Sequence, residues 1–268
     1  MSDAQTLENR TVLYNVENSI ATITLNRPHS ANTLNPQMID EIIDLTEKVR
    51  IDDSIRALIL NGEGPIFMAG GDLAYFFQHR NELPKQVVRM IRRLNQAVMN
   101  LYRLPIPVLA SVHGSVAGVG MSFIAAADLC IAAQNTQFTM AYSNVGLSPD
   151  GGATYFLPRL IGQRKTMQLM MMPDLFDASA AQDLGIVNWV VPQENLAEQT
   201  QKIALRLANG ATVAYAESKK LIQSSFGRSF EEQVEAEAHA FAHCTSTKDF
   251  IEGVSSFQNK KRPSFIGA

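Results

Sequence analysis

Two glycine-bearing stretches place backbone where it could do chemistry. The first is His113-Gly114-Ser115-Val116-Ala117-Gly118-Val119-Gly120-Met121, with three glycines in seven residues. It follows a hydrophobic run at 107–112 that reads as a buried strand, and precedes small and apolar residues at 121–127 that read as a buried helix. Glycine lets a backbone pass close to another group. Free N–H groups at a helix start point outward and stabilise negative charge. The second stretch is Ile66-Phe67-Met68-Ala69-Gly70-Gly71-Asp72-Leu73, where a Gly-Gly follows an apolar run and Asp72 is placed to cap the next helix. Either stretch, taken alone, also fits a plain tight turn. A third loop, 145–152, holds Asp150 in Pro-Asp-Gly, a strong turn signal. Lys85, Arg89 and Arg93 recur at four-residue steps on a helix expected over 85–103. That row is a solvated basic face or, more sharply, a partner for phosphate groups.

The elements that must position these groups follow from pattern. Two β-rich runs, 11–16 and 20–25, flank a hairpin turn at Glu17-Asn18-Ser19. Asn35 and Pro36 open a helix that carries Met38, Ile42, Leu45 and Val49 at helical spacing. Further strands are expected at 57–60, 129–133, 138–142 and 186–191. Helices are expected at 163–172, 178–184, 196–208, 211–224, 230–243 and 248–259. Strands alternating with helices, then a helical last quarter, make the chain α/β with a C-terminal helical segment. The division expected is a core at 1–200 and a helical segment at 201–268.

Composition narrows the class. The chain has 268 residues, 46% of them hydrophobic and 18% charged, which is a globular balance with room for a sizeable core. A net charge of −3 gives no support to nucleic-acid binding. Two cysteines, Cys130 and Cys244, make neither a disulfide framework nor a metal spacing, and suit a reducing compartment. The first ten residues are polar, and no apolar run is long enough for a membrane span. The expectation is a cytoplasmic protein without membrane, metal or redox cofactor.

Four stretches in order resemble the crotonase superfamily, the enoyl-CoA hydratase/isomerase family. They are Leu25-Asn26-Arg27-Pro28 with Asn32 and Leu34; Phe67 through Leu73; Val112-His113-Gly114 through Gly120, with Asp128; and Gly146-Leu147-Ser148-Pro149-Asp150-Gly151-Gly152. The end, Phe257 to Phe265, is also similar, so the resemblance covers nearly the whole chain. It implies a crotonase-like spiral of ββα units with C-terminal helices that mediate trimer formation, as a homotrimer or a dimer of trimers. It implies an acyl-CoA thioester as substrate, coenzyme A being part of that substrate. It also implies two backbone N–H groups, of Gly71 and Val119, that grip the thioester oxygen. Such donors stabilise an enolate-like transition state by roughly 3 kcal/mol each. The substrate-binding residues it implies are Ala31, Ala69, Leu73, Met121, Ser122 and Tyr142, with Phe76 and Phe77 as further acyl walls. Lys260, Lys261 and Arg262 are expected to meet the nucleotide phosphates or to form a solvated tail.

The chain departs from a hydratase of this family at both glutamate positions, which are Ser122 and Tyr142 here. Neither can perform a carboxylate's proton transfer. One acid remains, Asp150, where relatives with a similar loop place a single acid/base or, in a dehalogenase branch, a nucleophile. The expected function is an enoyl-CoA isomerase with Asp150 as single acid/base. The alternatives are a hydratase using Tyr142, Ser122 or an ordered water; an Asp150-nucleophile hydrolase or dehalogenase; and a non-catalytic acyl-CoA-binding relative. His113 is expected to be structural, His79 an exposed loop residue, and Asp72 a cap.

Overall fold

The computed structural model describes residues 10–268. Strands β1 (Val12–Glu17) and β2 (Ile20–Leu25) form the expected hairpin, with Val12 opposite Leu25. Asn18 and Ser19 at its tip have φ of 52° and 61°. Two left-handed residues in a row give the turn whose twist matches the strands it joins. From β2 onward the main sheet is parallel: β3 (Ala57–Gly62), β4 (Val108–Val112), β6 (Leu129–Ala133) and β9 (Trp189–Val191) follow in the order β1-β2-β3-β4-β6-β9. Parallel neighbours need crossovers, and the helices provide them.

Helix α1 (Pro36–Ile51) carries the chain from β2 to β3. The Asn35 side chain accepts the Met38 N–H at 2.9 Å, and Pro36 takes the first helical position. Its buried face is Met38, Ile39, Ile42, Thr46 and Val49. Helices α2 (Leu73–Gln78) and α3 (Leu83–Arg103) connect β3 to β4, and α3 buries Leu94, Ala97, Val98 and Leu101. Ala57 to Leu60 of β3 are all buried, as expected of a strand covered on both faces. Full burial of Leu58 or Leu60 contributes about 2 kcal/mol each.

A second, smaller sheet joins β5 (Ser115–Ala117), β7 (Gln137–Thr139) and β8 (Phe176–Asp177). The observed strands correct three expectations. The glycine stretch is not a bare strand-to-helix turn, because β5 lies inside it before helix α4 (Val119–Ala126) begins. The strand expected over 138–142 stops at Thr139, because Ala141 is left-handed (φ 52°) and turns the chain into a single 3-10 turn, Tyr142–Val145. The last strand starts at Trp189 rather than Ile186. Ile186 and Val187 are buried, but their amides bond back to the Ala181 carbonyl instead of joining the ladder.

Helices α5 (Ala153–Ile161), α6 (Gln163–Met171) and α7 (Ala178–Asp183) follow. Helix α8 (Leu196–Ala208) packs Leu196, Ala204 and Ala208 on Ile20, Ile59, Leu109 and Ile131, covering the sheet face opposite α1. Helices α9 (Thr212–Ser225), α10 (Phe230–Thr245) and α11 (Lys248–Gln258) complete the helical last quarter. An ion pair ties it to the core: Lys219 Nζ of α9 lies 2.7 Å from Asp128 Oδ2, which also accepts the Val108 N–H at 2.8 Å. The two side chains are 11% and 23% exposed. No helix among the described residues is long and apolar enough to cross a membrane.

Candidate active site

The segment holding Gly70 and Gly71 lies between two others and is bonded to both. On one side the Leu34 N–H donates to the Gly70 carbonyl at 2.8 Å, and the Asp72 N–H to the Leu34 carbonyl at 3.0 Å. On the other, the Met68 N–H donates to the Ser115 carbonyl at 3.1 Å, and the Ala117 N–H to the Met68 carbonyl at 2.9 Å. The Gly71 N–H shares a trans peptide group with the Gly70 carbonyl, so it points away from Leu34 and is left out of that pairing. Gly70 (φ 107°) and Gly118 (φ 53°) are left-handed where the segments meet. A Cβ on Gly118 would stand 3.5 Å from the Gly70 Cα. Their conformations, not merely their size, favour glycine there.

The loop at 26–32 is fixed by Asn32, which is fully buried. Its Nδ2 donates to the Glu63 and Ile66 carbonyls at 2.9 and 2.7 Å, and its Oδ1 accepts the Arg27 N–H at 2.7 Å. Arg27 Nη2 then meets Asp72 Oδ2 at 2.9 Å. Asp72 Oδ1 accepts the Tyr75 N–H, so this residue is the cap the sequence suggests.

Gly71 and Val119 line one cavity of about 180 Å³. Among the described residues, neither amide N–H has a protein acceptor. Val119 opens α4, all eight of whose residues are buried, so its N–H also stands at the positive end of that helix. Two such donors on one cavity can stabilise a single developing oxyanion.

Asp150 is the one carboxylate lining this cavity, among the described residues. The Tyr142 hydroxyl donates to its Oδ1 at 2.7 Å, and the Ser122 hydroxyl to its backbone carbonyl at 2.9 Å. Gly151 follows in a left-handed conformation (φ 58°), and a Cβ there would approach the Ser122 Cβ to 2.9 Å. Burial raises the Asp150 pKa; the bonds from Tyr142 and from its own backbone N–H act against that rise. Burial and the neighbouring Asp150 charge both raise the Tyr142 pKa, so Tyr142 keeps its proton and remains a donor. The arrangement is a carboxylate of increased basicity, oriented by a neutral donor and facing an apolar space.

The cavity draws together Gly71, Val119, Asp150, Ala69, Leu73, Phe76 and Tyr142. Ser122 is fully buried and reaches the site only through the Asp150 carbonyl. Met121 does not line the cavity. It sits in the core at 0% exposure, because two helical positions turn it about 200° from Val119. Phe77 is 68% exposed and also outside it. Ala31 borders the site through backbone alone, its carbonyl accepting the Ala69 N–H at 3.0 Å. Lys260, Lys261 and Arg262 are exposed beyond the end of α11 and do not line the cavity. His113 is structural, its Nε2 bonded to the Gly64 carbonyl at 2.7 Å.

The far wall is supplied by Ile39 of α1 and by Met90, Ile91 and Leu94 of α3. Sequence reading did not assign these residues to the site. Their signal was helical periodicity, which marks a buried face without telling what that face covers.

Comparison with known proteins identifies the family. The model of the enoyl-CoA hydratase/isomerase family matches residues 15–268. The chain is 36% identical to the trans-2-decenoyl-(acyl-carrier-protein) isomerase of Streptococcus mutans, over 96% of this chain and 98% of that one. It is 34% identical to the 1,2-epoxyphenylacetyl-CoA isomerase of Escherichia coli, again over 96% and 98%. The crystal structure of an enoyl-CoA hydratase from a Polaromonas species superposes with a TM-score of 0.91 at 30% identity, covering 95% of this chain and 99% of that one. Fold, motif order and these relatives together make the chain a crotonase-type enzyme that belongs to the enoyl-CoA hydratase/isomerase family.

Proposed function

We propose that the protein is an enoyl-CoA isomerase in which Asp150 is the single acid/base and the Gly71 and Val119 N–H groups form the oxyanion hole. The observation that carries this reading is that, among the described residues, one carboxylate lines the cavity shared by two amides without protein acceptors. A 3-enoyl thioester is placed with its oxygen on both amides. Asp150 removes a proton from C2, and the electron pair moves into a dienolate whose oxygen carries the charge. The protonated Asp150 then delivers the same proton to C4, and the double bond passes from C3–C4 to C2–C3. No water is consumed. All groups involved belong to the chain and the acyl-CoA, so the reaction as written uses no metal or redox cofactor.

Several observations support it. Raising the Asp150 pKa brings it closer to what a carbon acid needs. Ser122 and Tyr142 stand where a hydratase of the family has its glutamates, and both donate hydrogen bonds to Asp150 rather than presenting a second carboxylate. That weighs against water addition by two acids. The apolar walls suit a fatty or aromatic acyl chain. Two relatives carry isomerase names, while other relatives carry hydratase names. The same proposal includes a division into a core at 1–200 and a helical segment at 201–268, and a cytoplasmic location. It also includes assembly as a homotrimer or dimer of trimers, for which the exposed Phe226, Phe230, Phe241 and Phe257 provide apolar surface.

The test is to give the protein a 3-enoyl-CoA and follow the conjugated 2-enoyl-CoA and any 3-hydroxyacyl-CoA by chromatography. Formation of the conjugated product without the hydroxyacyl product is expected. Net hydration as the faster reaction, or no conversion despite acyl-CoA binding, would overturn the reading.

A further inference from the structure

A second cavity of about 430 Å³ adjoins the first. Ile39 of α1 and Met90 of α3 line both, so these two side chains are the partition. On the thioester side their companions are apolar: Leu34, Ile91 and Leu94. On the far side they are mixed: Pro36, Tyr75 and Leu83 lie beside the polar and exposed His79, Gln86, Arg89, Arg93 and Asp40. Among the described residues, the only carboxylate lining this far side is already engaged, with Arg93 Nε 2.6 Å from Asp40 Oδ1. His79 stacks on Tyr75 with ring centroids 4.2 Å apart, and its Nδ1 bonds the Tyr75 carbonyl at 2.8 Å. Its remaining nitrogen, Nε2, is uncommitted. The Arg89 side chain, which is exposed at the mouth of this groove, has no hydrogen bond, ion pair or ring contact among the described residues. One free guanidinium therefore faces a chamber that shares a wall with the catalytic cavity.

We infer that this chamber is the distal end of the acyl site, and that Arg89 recognises a carboxylate at the ω end of the acyl chain. The inference rests on the reading of the first cavity as the thioester site. Ile39 is buried and β-branched, so it is a fixed part of the partition. Met90 is partly buried, unbranched and adaptable, so it is the part that yields to a chain. A chain held at Gly71 and Val119 that passes Met90 leaves apolar surroundings and enters a groove whose exposed rim carries the polar groups. A methyl terminus there gains little. A carboxylate there meets an uncommitted guanidinium, whose planar fork accepts both oxygens. The favoured substrates are thus acyl thioesters with an anionic tail, rather than simple alkyl chains.

Calorimetric binding of saturated medium-chain acyl-CoAs and their ω-carboxylated counterparts, to the wild type and to Arg89→Gln, tests this. Saturated thioesters cannot isomerise, so the result is independent of the chemistry assigned to Asp150. The wild type is expected to bind the ω-carboxylated member about tenfold more tightly at the chain length that spans the partition, as a charged hydrogen bond provides. In Arg89→Gln the ratio is expected to fall to about one. A wild-type ratio near one at every length would overturn the inference, as would a preference that survives in Arg89→Gln. Equal weakening of both ligands by the substitution would also overturn it, since Arg89 would then serve the phosphates that both share.

Discussion

Two aspartates, Asp128 just past the C-terminus of helix α4 and Asp150 bonded through its carbonyl to Ser122 of that helix, show how one residue type is held for two purposes. Burial raises both of their pKa values. Asp128 has a cation: Lys219 Nζ stands 2.7 Å away, and burial depresses the lysine's pKa in turn. Asp150 has no cation among the described residues, but the neutral Tyr142 hydroxyl at 2.7 Å and its own backbone N–H. The Asp128 carboxylate is therefore spent on joining α9 to the loop before β6. The Asp150 carboxylate is held by no charged partner and lines a cavity. A cation fixes a carboxylate's charge and lowers its basicity, whereas a hydroxyl orients it and leaves much of that basicity in place.

Removing each group's distinguishing partner breaks the comparison in different ways. Asp150→Asn should reduce turnover of a 3-enoyl-CoA by about a thousandfold and leave acyl-CoA affinity nearly intact, as steady-state kinetics and calorimetry would show. It should not destabilise the fold. A folded-state pKa above the unfolded one means that stability is fully present at low pH and lost as pH rises through the folded value. The uncharged amide avoids that loss, so its melting temperature at neutral pH should equal or exceed that of the wild type. Lys219→Met should do the reverse. It leaves a partly buried Asp128 charge without its cation, and should cost about 2 kcal/mol in denaturant unfolding, between the values for exposed and buried pairs. Turnover per folded molecule should be unchanged. Lys219→Met combined with Asp128→Leu should lie closer to the wild type than Lys219→Met alone, because no unpaired charge remains.

The smallest effect sharpens the contrast most. Tyr142→Phe should lower kcat by about tenfold, the size of one lost hydrogen bond to a charged group. Since that bond lowers the Asp150 pKa, its removal should raise it further. The acid limb of kcat/KM should then move to higher pH. A limb that stayed in place or moved to lower pH would show that Tyr142 does not act on the base.

Much of the fold was legible because it is local. The left-handed turn at Asn18-Ser19, the Asn35 cap and the buried strands each follow from a few neighbouring residues. The glycine stretches also suggested backbone donors, while their sharing of one cavity was an implication of the family resemblance. What was not legible depends on rotation and distance. Met121 was expected at the acyl wall, yet the helix turns it to the core, because α4 begins at Val119. The Tyr142–Asp150 bond spans eight residues across a 3-10 turn that the expected strand did not contain. Ile39 and Met90 come to the site from helices about fifty residues apart in sequence. Lys219 lies ninety-one residues from Asp128, and no local pattern connects them.

The account rests on one carboxylate carrying one proton between two carbons. Its most direct test uses a 3-enoyl-CoA deuterated at C2, converted by the wild-type protein in ordinary water under single-turnover conditions, with the product read by mass spectrometry and NMR. Delivery by the same Asp150 predicts deuterium at C4 of the conjugated product, in excess of what exchange with solvent allows. A product whose new C4 hydrogen derives wholly from solvent, even at the shortest times, would contradict it and require a second acid.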